Sequence, residues 1–220
     1  MAATDSPTLR PVEGIRVPRH KRGAASYERL LDGAERLLAE KGFEGFTTTE
    51  LSRYSGLSNG AIYWRVESMD ALFVAVHERF IERINAQLTI FTEDEAWEHL
   101  DLESSVRLAV TQLASVFDRH TGLLRALVLR TGTDPDAAER GANAVRDTGS
   151  RMTGRVAAAL GAAGRREPEL TAAMIFSTAF GALIARITWP EQQPDPEVPW
   201  DRFVSELSEL CVAYAAWTTG

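Results

Sequence analysis

Apolar residues recur in this chain at steps of three and four from Tyr27 to Trp217, and no stretch of strand length alternates apolar with polar. That spacing lays one apolar stripe along a helix, whereas a half-buried strand needs a period of two. The first stripe is Tyr27, Leu30, Leu31, Ala34, Leu37 and Leu38. It predicts a helix from about Ser26 that closes at Lys41-Gly42, since glycine readily takes the left-handed conformation of a helix end. Phe43 and Phe46 then pack beneath it. Further helices are expected over 48–54 and 58–65, from Ser68 through Leu72, Phe73, Val76, Phe80, Ile81, Ile84 and Leu88, and over 102–119, 122–130, 135–160, 168–188 and 199–217. Pro135, Pro168 and Pro199 stand at helix starts, where a missing N–H costs nothing. Residues 189–199, with four prolines, read as a linker. The expected fold is all-α with about nine helices.

With 220 residues the chain has room for one large domain or two smaller ones. A single cysteine, Cys211, excludes an intrachain disulfide and any multi-cysteine zinc site. Four scattered histidines do not form a metal centre, so neither metal nor other cofactor is expected. No basic start precedes an apolar run, so no secretory signal is visible. The most apolar stretch, 172–187, is interrupted by Ser177, Thr178 and Arg186 and is short for a membrane span. A soluble, cytoplasmic protein with no membrane partner is expected. The net charge of -7 is unevenly spread: residues 1–66 carry 10 Lys and Arg against 8 Asp and Glu, and the remainder 14 against 23. Arg10, Arg16, Arg19, Lys21 and Arg22 are opposed only by Glu13 between residues 10 and 22. An acidic body with a basic front end suits nucleic-acid binding through the front, and it equally suits a solvated tail. Residues 1–23 read as a disordered basic arm.

Residues 47–65 carry the most information. Thr47-Thr48-Thr49-Glu50 offers a capping box, in which the threonine hydroxyl and the glutamate each satisfy a free backbone N–H. Gly56 breaks the short helix that follows, and Ser58 caps the next. A small Ser52 at the crossing, Gly56 in the turn, and Leu51, Leu57 and Ile62 in the wedge make a helix-turn-helix. Its second helix is then free to lie in a major groove. The pattern alone also fits a structural helical hairpin.

Residues 26–84 closely resemble the N-terminal domain of the tetracycline-repressor-like (TetR) regulators. The matching residues are the 30–42 helix ending in Lys41-Gly42-Phe43, Thr47, the run Ser55-Gly56-Leu57-Ser58-Asn59-Gly60-Ala61-Ile62-Tyr63, and Ser68 with Leu72. The chain departs from the family at Trp64-Arg65-Val66, where tyrosine-histidine-phenylalanine is frequent, and at Met69, where lysine is frequent. The resemblance implies a helix-turn-helix DNA-binding domain over 24–67 and a ligand-binding and dimerisation domain over 68–220. It implies phosphate contacts from Thr47 and Tyr63, counts Thr49 among the DNA-binding residues, and has Arg16, Arg19, Lys21 and Arg22 follow the minor groove as a basic arm can. It also places Ser58, Asn59, Ala61, Trp64 and Arg65 on or near the reading face. Asn59 suits adenine, Ala61 a thymine methyl, and Arg65 guanine or a phosphate.

The last two helices each carry two apolar stripes. Ala172, Ile175, Ala179 and Ala182, with Val204, Ser208, Cys211 and Ala215, are expected to face a second copy of the chain, the bulkier residues facing the chain's own core. A small lipophilic or aromatic effector is expected between the helix after Ser68 and those following Leu102. Phe80, Ile84, Leu113, Phe117, Leu127, Met152, Phe176 and Phe180 would line that cavity, with His77 or Arg125 as polar anchors. Core packing accounts for the same apolar residues. The chain has no Gly-rich phosphate loop after a strand, no G-x-S-x-G and no H-E-x-x-H, so an enzyme is not expected. Two readings follow: a ligand-responsive repressor that binds a palindromic operator as a homodimer, or an all-α small-molecule binder or enzyme whose helix-turn-helix is structural.

Overall fold

The computed structural model describes residues 13–16 and 21–217, and of Lys21 and Arg22 the backbone only. Of the residues expected to follow the minor groove, Arg19 and the side chains of Lys21 and Arg22 lie outside the described residues. Among those described there are nine α-helices and no strand, in agreement with the all-α expectation. The only pairing of strand type among the described residues is an isolated antiparallel bridge between Ile15 and Val66. The chain forms two compact units, Met1–Arg83 and Ile84–Gly220.

The first unit is built on α1 (Lys21–Lys41), α2 (Thr48–Ser55), α3 (Asn59–Arg65) and α4 (Met69–Gln87) up to Arg83. Helix α1 begins five residues before Ser26, so the expected arm of 1–23 is helical at its end and bridged at Ile15. Leu30, Leu31, Leu37, Leu38, Leu51, Ile62, Leu72 and Phe73 are sealed from solvent and form the core. Phe43 stands edge-on to Phe73, with ring centroids 5.4 Å apart. Gly42 closes α1 at φ 65°, its N–H donating to the Leu38 carbonyl over 2.9 Å.

The sequence places the start of α4 in the second domain, but the structure keeps the helix with the first unit as far as Arg83. Charge is one reason. Glu28, Asp32 and Glu35 lie along one face of α1, and Arg79 reaches all three, at 3.5 Å from Glu28 and 3.2 Å from Glu35. Arg83 grips Glu35 through both guanidinium nitrogens, at 2.8 and 3.0 Å. Burial opposes the Arg79 charge, but the hydrogen bond to Asp32 and the surrounding carboxylates outweigh it and raise the pKa of Arg79 above its ordinary value.

The second unit contains α5 (Leu102–Arg119), α6 (Thr121–Thr131), α7 (Pro135–Ala162), α8 (Pro168–Thr188) and α9 (Trp200–Ala216). Its core joins Val106, Val110, Leu113 and Phe117 of α5 to Met152, Val156 and Leu160 of α7, and to α8 and α9. Asp101 and Asp134 cap α5 and α7 by accepting the N–H groups of Ser104 and Ala137 over 2.8 and 3.0 Å. Pro135 and Pro168 open α7 and α8 as expected, while Pro199 immediately precedes α9. Residues 189–199 are a pinned loop rather than a linker. Arg186 donates to the carbonyls of Asp195 and Pro196 over 3.0 and 3.3 Å, and to that of Val198.

Helix α8 has 21 residues and is long and apolar enough to cross a membrane by length and composition, contrary to the expectation that this stretch is too short. In the structure Ala172, Ile175, Ala179, Leu183 and Ile187 pack into the core of the second unit. That removes most of one apolar face from solvent.

Candidate nucleic-acid interface

Local chemistry fixes the two short helices. Thr47 caps α2, its hydroxyl accepting the Glu50 N–H at 3.3 Å. The reciprocal half of the expected capping box is absent, because the Glu50 carboxylate turns to Lys41 and to Arg53, the latter at 3.0 Å. The hydrogen bond from Lys41, with help from Arg53, holds the Glu50 carboxyl below the usual carboxylate range. Gly56 takes the turn at φ 67°, a left-handed conformation that disfavours any residue with a Cβ. Its N–H donates to the Ser52 carbonyl over 3.0 Å, while the Ser52 hydroxyl donates to the Leu57 carbonyl over 2.6 Å. Ser52 therefore locks the turn by a hydrogen bond. Close approach is granted elsewhere: a Cβ on Gly33 of α1 would lie 2.8 Å from the Ser55 backbone. Sequence reasoning missed Gly33, since a glycine inside a helical pattern looks like a weak point rather than a contact.

Ser58 caps α3 by accepting the Ala61 N–H over 3.3 Å, and Ile62 is wholly buried. The opposite side of α3 stays open. Tyr63 is 62% exposed and Trp64 58% exposed, with Ser58, Asn59 and Gly60 also exposed. Ala61 is half-buried, at the margin of this face. Arg65 is also half-buried: it donates to the Ala61 carbonyl over 2.9 Å and lies 5.4 Å from the centre of the Trp64 ring. At the start of α2, Thr47 and Thr49 are exposed. Thr48, not expected in the site, places its hydroxyl 3.2 Å from that of Tyr63. The structure thus brings the hydroxyls of α2 and α3 to one surface beside Asn59 and Trp64.

The other expected sites divide. Ala172, Ile175, Ala179, Ser208, Cys211 and Ala215 are buried in the chain's own core, so they do not form the surface offered to another chain. Ala182 and Val204 are half-buried against that core. The small residues face inward because they let helices approach. The exposed large apolar residues of these two helices are instead Leu170 and Met174 of α8 and Leu210 and Tyr214 of α9, with Trp217 directly after α9. Leu170, Tyr214 and Trp217 meet around one depression of about 220 Å³.

Of the expected effector residues, Leu113, Phe117 and Met152 are core, with Ile84, Phe176 and Phe180 packed on it. Phe180 is stacked on Phe176 and edge-on to Phe117, with centroids 5.5 and 5.6 Å apart. Leu127 is buried, and Arg125 is exposed rather than turned inward as an anchor. His77 and Phe80 are buried and belong to the first unit, His77 lying beside Phe73. An open groove of about 440 Å³ between α5 and α9 has Arg107, Thr111, Asp118, Trp200 and Ser208 on its walls. None of the expected effector residues lines it.

Residues 30–76 match the family described as bacterial regulatory proteins, tetR family. An HTH-type transcriptional repressor of Mycobacterium tuberculosis is 40% identical over 63 residues, a stretch covering 29% of this chain and 34% of that protein. Among solved structures, a transcriptional regulator from Cytophaga hutchinsonii superposes with a TM-score of 0.65 at 12% identity, covering 87% of this chain and 97% of that one. The transcriptional regulator FadR from Bacillus subtilis, solved in complex with stearoyl-CoA, gives a TM-score of 0.64 at 14% identity over 86% of this chain and 98% of that one. A regulator from Rhodococcus gives 0.61 at 24% identity, covering 84% and 93%. At these identities the structures establish a shared fold, and the N-terminal match goes further: residues 30–76 form a helix-turn-helix domain of the kind described for the tetR family of bacterial regulatory proteins.

Proposed function

We propose that this protein is a transcriptional repressor that binds a palindromic DNA operator as a homodimer and releases it on binding a small lipophilic or aromatic effector. The observation that carries the DNA-binding part is α3. Its Ile62 is buried completely while Tyr63 and Trp64 stand more than half exposed, an arrangement that costs solvation unless a partner covers the rings. Asn59 on the same helix can pair with both edge atoms of adenine, and the Thr48–Tyr63 hydroxyl pair suits a backbone phosphate.

Two recognition helices about 34–36 Å apart, or a multiple of that, would read a two-fold operator. The exposed Leu170, Met174, Leu210, Tyr214 and Trp217 supply an apolar surface for pairing. The effector belongs to the second unit, and a neighbour of the same fold was solved with an acyl-CoA. To weaken operator binding a hundredfold, an effector must favour the non-binding form by about 2.7 kcal/mol.

Binding of the full chain to duplexes selected from a randomised pool, measured across salt concentrations, tests the reading. Tyr63→Phe should weaken all duplexes alike, and Asn59→Ala should relax preference at one base pair by about 1–3 kcal/mol. If both bind as the parent does, α3 is not the reading helix. Leu210→Glu, placed on an exposed position, should leave the helical content intact and yield a monomer with operator affinity lost. A parent that sediments as a monomer at micromolar concentration would exclude the dimer.

A further inference from the structure

We infer that residues 14–16 are a built part of the DNA-binding unit and that Arg16, aligned with Arg65 on the Trp64 ring, takes a backbone phosphate of duplex DNA. This rests on the DNA-binding reading above and extends it to a segment outside the helix-turn-helix. The segment is held in register by backbone bonds. Ile15 bridges Val66, the Arg16 N–H donates to the Arg65 carbonyl over 2.9 Å, and the Glu67 N–H donates to the Gly14 carbonyl over 2.9 Å. Both strands of this bridge are fixed by their surroundings, since Val66 is buried directly after the end of α3. Gly14 has φ 77°, and a Cβ there would lie 3.0 Å from the Ala71 Cβ of α4. Glycine is needed twice over, for the left-handed backbone and for the approach to α4.

That register puts Arg16 beside the reading helix. Its guanidinium lies 5.9 Å from the centre of the Trp64 ring, and the Arg65 guanidinium lies 5.4 Å from the same centre. Two positive charges gathered at one exposed ring favour an anion beside them. Among the described residues neither arginine forms an ion pair with a carboxylate. The Arg65 Nη1 is spent on the Ala61 carbonyl, and its Nε is closed off from solvent without a hydrogen-bond partner. Arg16 is exposed, so its donors are free to meet an anion from outside. A phosphate beside Arg16 would meet both positive charges, accept two parallel hydrogen bonds from the planar guanidinium, and leave the exposed indole against the adjoining sugar or a thymine methyl. The sequence marks Arg16 as one residue of a basic arm that could follow the minor groove, with no fixed place. The bridge turns one of its arginines into a positioned contact.

The test uses the full chain and a duplex that the parent protein selects from a randomised pool, with affinity measured between 50 and 200 mM salt. Losing one phosphate contact should make the log–log salt slope of Arg16→Ala shallower by about 0.9. At physiological salt its affinity should fall about fivefold, while Arg16→Lys keeps the slope. Gly14→Val retains the arginine but breaks its register, and should lose the same slope and affinity. Combining it with Arg16→Ala should cost nothing further. An Arg16→Ala protein with the parent's slope and affinity overturns the inference while leaving the helix-turn-helix reading intact. So does a double variant whose losses add. A parent that selects and binds no duplex overturns both.

Discussion

Gly33→Ala is the most informative single change in the first unit, because two ordinary effects oppose each other and the structure decides the winner. Replacing glycine by alanine inside a helix stabilises by about 1 kcal/mol through helix propensity alone. Here the new Cβ would sit 2.8 Å from both the Cα and the N of Ser55, and 2.9 Å from its Cβ. Those atoms are mostly backbone, at the end of α2 and next to the Gly56 turn, so no side chain can swing aside. Overpacking of this kind costs about 3 kcal/mol, leaving a net loss of about 2 kcal/mol. Gly154 of α7 is the control, since a Cβ there meets nothing within 4 Å and alanine should stabilise by about 1 kcal/mol. Hydrogen exchange of the α1 and α2 amides reads the effect within the first unit. A loss of about 2 kcal/mol should speed exchange there by about thirtyfold while the α7 amides are unchanged. If Gly33→Ala slows exchange as Gly154→Ala does in its own helix, the close crossing of α1 and α2 is wrong.

Burial pushes the Cys211 thiol up to about 11, so an aromatic disulfide reagent at pH 8 should label it only after denaturation; rapid stoichiometric labelling of the native protein would contradict its place in the core. Because the raised value favours the neutral thiol in the folded chain, its contribution to stability is present below the ordinary value of 9.0 and is lost as pH rises toward about 11. The opposite sign holds for Asp134, whose carboxyl is lowered by the Ala137 N–H and then by Arg130. Its contribution is present above the usual 3.8 and is lost as pH falls through the lower folded value. Asp134→Asn keeps a capping oxygen but loses the charge that the Ala137 N–H and Arg130 favour, so it should flatten the acid side of the urea midpoint for the second unit and cost less at pH 7 than Asp134→Ala, which should cost about 1 kcal/mol there. An Asn variant with the parent's acid dependence would remove Asp134 from that account.

What the sequence determined by itself was local. Helix ends were legible because they depend on a few neighbouring atoms: a hydroxyl at Ser58 or Ser68, a left-handed glycine at 42 or 56, a proline where no N–H is required. The helix-turn-helix was legible for the same reason, since its turn and wedge fall within residues 47–65. Periodicity also placed an apolar face on α8 and α9, but it could not say which face the chain would keep for itself. Both helices carry two stripes: α9 buried the small one with Ser208, Cys211 and Ala215 and left Leu210, Tyr214 and Trp217 outside, while α8 buried Ala172 and Ala179 together with the bulkier Leu183 and Ile187. The tertiary structure alone decided the contacts between residues far apart in the chain. Glu28, Asp32 and Glu35 share a helix face, as do Arg79 and Arg83, yet only the packing of α4 on α1 joins the two sets. Gly33 acquires its purpose only when Ser55 arrives, and Arg16 becomes a positioned side chain only when Val66 offers a backbone to bridge. Spacing along a chain fixes which residues share a face, while the partner of that face is chosen by shape and charge across distances the sequence does not encode locally.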